Sequence, residues 1–177
     1  MESALASIIL MTVVLYASLT LSHTYFTTQD RLMVSEQALQ ERTLERMKTD
    51  LEIVGMQTKS SGSVIELTVR NSGNIKLADF EKWDVIVEYY QANGDLVMTW
   101  APYTAGSPGN NEWTVAGIYA NAVAMTPEAF EPDILNPDEE MIVQIRVLPP
   151  VGPDTTNRAT IGVPNGDTVS TLFTRTS

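Results

Sequence analysis

The sequence predicts an α+β chain, a long N-terminal α-helix followed by an immunoglobulin-like antiparallel β-sandwich. Three observations predict it. No Gly or Pro interrupts the chain before Gly55, and no charged residue falls between Glu2 and Asp30. Beyond Ser63 the apolar period switches from 3.6 to 2. The remainder breaks into roughly seven or eight short alternating segments separated by turn signals, the pattern of a sandwich.

The expected boundaries are a helix over 1–56, a linker over 57–62 and a sandwich over 63–177. Within the helix, 3–26 is apolar and 27–56 amphipathic, and residues 2–54 read as nearly continuous. A helix of about 50 residues rises about 75 Å, too long for one small domain to bury. Its partners must come from outside its own chain. In the apolar part, Ala4, Leu5, Ile8, Ile9, Leu10, Val13, Val14, Leu15, Leu19, Leu21, Tyr25 and Phe26 lie all round the axis, as in lipid or a multi-helix bundle. Thr12, Ser18, Thr20 and Ser22 are tolerable there because their hydroxyls can bond back to the preceding turn. Ala6, Ser7, Ala17 and Ser18 permit close helix approach. His23, the single histidine, has no second ligand-type residue within two turns, so it reads as a packing residue.

From Asp30 a narrower stripe continues through Met33, Gln37, Gln40, Leu44, Met47, Leu51 and Val54, with charged residues opposite. Lys59-Ser60-Ser61-Gly62-Ser63 reads as a flexible connector. In the first strand, Ile65, Leu67 and Val69 face one way and Glu66, Thr68 and Arg70 the other. Trp83–Tyr90 alternates again, and Asn93-Gly94-Asp95 turns it into a strand over Leu96–Trp100. Later strands are expected at Glu112–Ala120, Glu140–Leu148, Ala159–Val163 and Thr168–Arg175. The long connection 121–138 is expected to hold one helical turn near Pro127-Glu128-Ala129 and apolar anchors at Met125 and Phe130. Glu66, Arg70, Asp84 and Glu88 are expected on outward faces.

Composition excludes several functions. The formal charge of −11, with 22 Asp and Glu against 11 Lys and Arg, repels nucleic-acid phosphates, so no nucleic-acid partner is expected. With no Cys, disulfides, thiolate metal sites and Cys nucleophiles are ruled out. The lone His within the apolar helix leaves no base for a hydrolytic triad. No phosphate-loop, dinucleotide or zinc-helix motif is present. Asp133, Asp138, Glu139 and Glu140 lack the spacing of a calcium loop and read as a solvated acidic loop. No cofactor, metal or catalytic residue is expected.

The acidic opening Met1-Glu2-Ser3 does not fit a secretory signal peptide. A membrane anchor and a mature N-terminus left by leader removal both remain open. With the helix followed by the sandwich, three segments carry a resemblance: Ile65-Glu-Leu-Thr-Val-Arg-Asn-Ser-Gly73, Ile134-Leu-Asn-Pro-Asp138 and Ala159-Thr-Ile-Gly-Val-Pro164. In this order the whole chain resembles an archaellin, the archaeal flagellin of the type IV pilin-like superfamily. The resemblance implies a leader peptidase acting on a precursor and passage through the membrane. It also implies delivery by the archaellum assembly platform and self-assembly into an extracellular helical filament for swimming. Leu5, Ile8, Ile9, Val13, Leu15, Leu19, Tyr25 and Phe26 would then form the filament core, with Met33, Met125 and Phe130 at further subunit contacts. The alternatives are an adhesion pilin, whose characteristic glutamate at position five is Leu5 here, and a membrane-anchored stator or accessory protein of the archaellum.

Overall fold

Among the described residues one α-helix, α1 (Glu2–Lys48), precedes nine strands that form two antiparallel sheets. The structure, a computed structural model, describes residues 2–128 and 131–176. Within α1 the side chains of 2–8, 24, 26–28, 30, 32, 35, 38, 41, 42 and 44–47 lie outside that description. The chain divides into two units, with the boundary between Leu44 and Glu45.

The strands are β1 (Leu51–Lys59), β2 (Val64–Asn71), β3 (Asp84–Tyr90), β4 (Leu96–Ala101) and β5 (Glu112–Asn121). They continue with β6 (Thr126–Pro127), β7 (Glu140–Arg146), β8 (Thr156–Gly162) and β9 (Thr168–Thr174). One sheet has the order β1-β2-β7-β5-β6 and the other β4-β3-β8-β9. These are the immunoglobulin orders A-B-E-D and C′-C-F-G, with β6 added beside β5. The expected sandwich is therefore present.

Alternation places the core where the sequence put it. Ile65, Leu67 and Val69 of β2 and Met141, Val143 and Ile145 of β7 are fully buried. They meet Val85, Val87 and Tyr89 of β3 and Ala159 and Ile161 of β8 across the sandwich, as facing inner surfaces must. The largest sealed side chain is Trp113 on β5, against which the Tyr103 ring packs edge-on at 5.0 Å.

Four expectations are corrected. The helix stops at Lys48, not at 54–56, and Leu51–Lys59 is strand β1, paired with β2 from Leu51↔Asn71 to Lys59↔Val64. Leu51 and Val54 continue the helical spacing, but Leu51 and Ile53 also alternate with Glu52. Pairing along β2 decides between the two periods, and a bulge between Ile53 and Gly55 absorbs the odd residue. The expected linker is a tight turn: Ser60, Ser61 and Gly62 all adopt positive φ, and a Cβ on Gly62 would lie 2.5 Å from the Val151 carbonyl oxygen. The expected helical turn near 127–129 is replaced at Thr126–Pro127 by β6, while Ala129 and Phe130 lie outside the described residues. Glu66 faces outward but is buried, because Lys59, Gln57 and Gln144 on the flanking strands close over its carboxylate.

Candidate functional site

The candidate site is the surface of α1. Each residue advances about 100° around a helix, so a run of exposed apolar residues from Ile9 to Leu21 points in every direction. Ile9, Leu10, Met11, Val13, Val14, Leu15, Tyr16, Leu19 and Leu21 are all exposed, Ile9 at 56%. Tyr25 and Met33 extend the exposed set. Leu5, Ile8 and Phe26 belong to the same helix, but their side chains lie outside the described ones. Thr20 Oγ1 donates to the Tyr16 carbonyl at 2.8 Å, and Thr43 Oγ1 does the same to Leu39. A hydroxyl satisfied by its own helix can enter an apolar contact at little cost. No helix among the described residues is long and apolar enough to cross a membrane.

The second unit holds residues 48–50 by backbone bonds. Ser72 and Gly73 N–H groups donate to the Asp50 carbonyl, and Asn74 N–H donates to that of Lys48 at 2.8 Å. A side chain at Gly73 would place its Cβ 2.4 Å from the Lys48 oxygen, so only Gly permits this approach. Asn71, fully buried, organises the turn. Its amide donates to the Ile75 and Leu135 carbonyls, and its oxygen accepts from Gly73 N–H. Asn71 N–H also donates to the Glu139 carbonyl, and Asp138 N–H to that of Asn71. Two of the segments carrying the resemblance, ending at Gly73 and running over 134–138, are thus bonded to each other. Just past the third, Asn165 bonds the Thr49 hydroxyl.

The acidic residues of this region do not converge. Glu139 accepts from the Asn136 backbone and side-chain amides. Glu140, buried, accepts from Ala122 N–H at 2.8 Å and pairs with Arg70. The Ala122 bond and then the Arg70 guanidinium hold its carboxyl below the ordinary carboxylate range, against the opposing effect of burial. Among the described residues no group of three His, Cys, Asp or Glu is placed to hold a metal ion.

The other sequence-proposed contact is only partly visible. Met125 sits at the β5–β6 turn with φ of 51° and is 58% exposed, so it does not pack under its own domain. Phe130 lies outside the described residues. The loop 104–111 is tied to its own sandwich through Gly109 N–H to Glu112 and Asn111 Oδ1 to Leu148 N–H. Sequence reasoning missed the outer surface of β4, where Leu96, Met98 and Trp100 are exposed beside Ile86 and Tyr90 of β3. The alternation of Leu96–Trp100 was the available signal.

No family model matches the sequence, and no curated protein matches it. Solved structures do. The archaeal flagellum of Methanospirillum hungatei strain JF1 aligns with a TM-score of 0.57 at 13% identity, covering 97% of this chain and 92% of that one. The archaellum periplasmic stator protein FlaG from Sulfolobus acidocaldarius aligns with a TM-score of 0.50 at 23% identity, covering 71% of this chain and 99% of that one. At these identities the likeness is one of fold.

Proposed function

We propose that this chain is a non-enzymatic structural subunit of an archaellum, polymerising through α1 into an extracellular filament for swimming. The observation that carries the proposal is the exposure of apolar side chains on all sides of α1, which only a set of surrounding partners can cover. The likeness to the Methanospirillum hungatei flagellum supports it, because it runs through nearly all of both chains. Leu5, Ile8, Ile9, Val13, Leu15, Leu19, Tyr25 and Phe26 would form the filament core, with Met33, Met125 and Phe130 touching neighbouring subunits. Burying about 1,000 Å² of apolar surface per subunit would contribute on the order of 25 kcal/mol before the entropy of association. The packing would be head-to-tail, as an open helical polymer requires. Before assembly the chain would pass through the membrane, meet its leader peptidase and be received by the archaellum assembly platform.

A second reading has its own support. The likeness to FlaG spans 99% of that stator protein, so a stator or accessory role anchored by α1 also fits the sandwich. Electron microscopy of shed filaments with mass spectrometry of their protein separates the two. The filament reading expects this chain as a component, and filaments lacking it would favour the stator. Deleting residues 4–26 should yield a chain that forms no filaments, and filaments from that truncated chain would overturn the helix-core proposal.

A further inference from the structure

Among the described residues four strands lie at sheet edges: β1, β6, β4 and β9. An edge strand offers unpaired backbone groups to any other strand, and proteins ordinarily blunt it with charge, proline, a bulge, brevity or a cover. Three of the four are blunted. β1 carries Glu52, Lys59 and a bulge. β6 has two residues, one of them Pro127. β9 has β1 beside it, and its end is bridged through Arg175 to Pro153. β4, Leu-Val-Met-Thr-Trp-Ala, has no charge, no proline and no bulge, and among the described residues its hydrogen-bonded neighbour is β3 alone.

The register fixes which backbone groups of β4 are open. At the hairpin end, Gln91 N–H donates to the Asp95 carbonyl at 2.9 Å. Bonded pairs alternate with non-bonded ones from there, so Tyr89/Val97, Val87/Thr99 and Val85/Ala101 exchange bonds. Tyr90 N–H accordingly points away from β4, to Asn157 Oδ1. The N–H and C=O groups of Leu96, Met98 and Trp100 therefore face outward from the sheet edge. The same three residues hold their side chains in solvent on the outer face, Met98 at 70% and Trp100 at 58% exposure.

We infer that β4 pairs with β4 of a second copy of this chain, antiparallel about a two-fold axis at Met98. In that register Met98 meets Met98 and Leu96 meets Trp100 of the other copy. Every open donor and acceptor at 96, 98 and 100 gains a partner, and each apolar side chain faces an apolar one. The strand is self-complementary, which selects a copy of itself over an unrelated strand. Because β4 carries no charge, the pairing brings no like charges opposite one another, although each chain has a net charge of −11. Such a contact is closed. It joins two anchored copies, or subunits of neighbouring filaments, and cannot by itself propagate a polar filament. It goes beyond the filament proposal and does not depend on it.

The chain lacks cysteine, so single cysteines report the pairing cleanly. Facing Cα atoms of a bonded antiparallel pair are about 5.5 Å apart, within the span of a disulfide. The full-length chain in mild detergent is oxidised gently as Met98→Cys and, separately, as Ser170→Cys, an exposed outer-face position on β9. The expected result is a disulfide-linked dimer of most of the M98C chain and a monomer of S170C. A monomeric M98C chain, equal cross-linking of both, or a dimer only when the two variants are mixed would overturn the inference. In sedimentation, Met98→Lys is expected to lose the dimer while the melting temperature of the sandwich stays unchanged. A dimer that survived M98K would also overturn it. Filaments are read separately by microscopy: their absence from the wild type would defeat the filament proposal and leave the cross-linking result standing.

Discussion

In α1, Ile9, Val13 and Leu19 stand exposed; in the sandwich, Ile65, Val87 and Ile145 are sealed from solvent. The side chains are of the same kind, and the difference lies in period. A two-residue period gives a strand one apolar face, and two such faces close a core within one chain. Apolar residues on all sides of a helix cannot be covered by one neighbour. The sandwich therefore closes its own core, while the described apolar side chains of the helix from Ile9 to Leu21 stay exposed.

The sharpest way to break this contrast is to place a charge on the helix. Ile9→Asp or Val13→Lys should abolish assembly, since an unpaired charge in an apolar contact costs several kcal/mol per subunit. Melting of the sandwich should not move, and filaments of normal yield would show that α1 is not the assembly surface. The reverse experiment empties the core. Trp113→Ala should cost about 3–5 kcal/mol of sandwich stability. The Trp113 ring N–H has no hydrogen-bond partner among the described residues, so Trp113→Phe should cost clearly less. Denaturant titration ranks the two, and equal losses would argue against this account of the ring.

Smaller effects test the polar seams of the sandwich. Asn71→Ala removes one partner from each of three backbone groups, leaves the half-buried Ile75 carbonyl without this donor, and should cost about 2 kcal/mol. Glu140→Gln should cost about 1 kcal/mol at neutral pH. The Glu140 carboxyl is held low in the folded state, so its stabilisation is complete above the ordinary carboxylate value and is lost as pH falls through the folded one. The gap in melting temperature between wild type and variant should close on acidification. A gap that stayed constant would assign the loss to packing instead of charge.

Much of this organisation was legible in the sequence because its signals were periodic. The inward residues of β2, β3 and β7 follow directly from alternation. The end of the helix was not legible, since Leu51–Lys59 satisfies both periods and only pairing with β2 selects the strand. The start of β8 was hidden for another reason. Asn157 faces inward and is buried, satisfied by Tyr90 N–H and by the Thr155 and Phe173 carbonyls, and a polar residue in that place looks like loop. Of the residues proposed for an assembly surface, Ile9, Val13, Leu15, Leu19, Tyr25 and Met33 are found exposed, as is Met125. The open edge of β4 was not named, because it depends on strand order, and sequence alone does not reveal which strand lacks a second neighbour.

The bonds around Lys48 to Asp50 also have a mechanical meaning. A pull or twist arriving along the chain reaches the sandwich at these three residues before it reaches any strand. There it is divided among the Ser72, Gly73 and Asn74 amides and the Asn165 side chain, with the β1–β2 ladder in series behind them. Bonds that share a load must fail together, so the anchorage is stronger than any of them singly. Gly73 sets the spacing of that anchorage. A methyl group there would pry the turn from the Lys48 oxygen and throw its share of the strain onto the Asn165 bond and β1, like a rope whose splice has been cut.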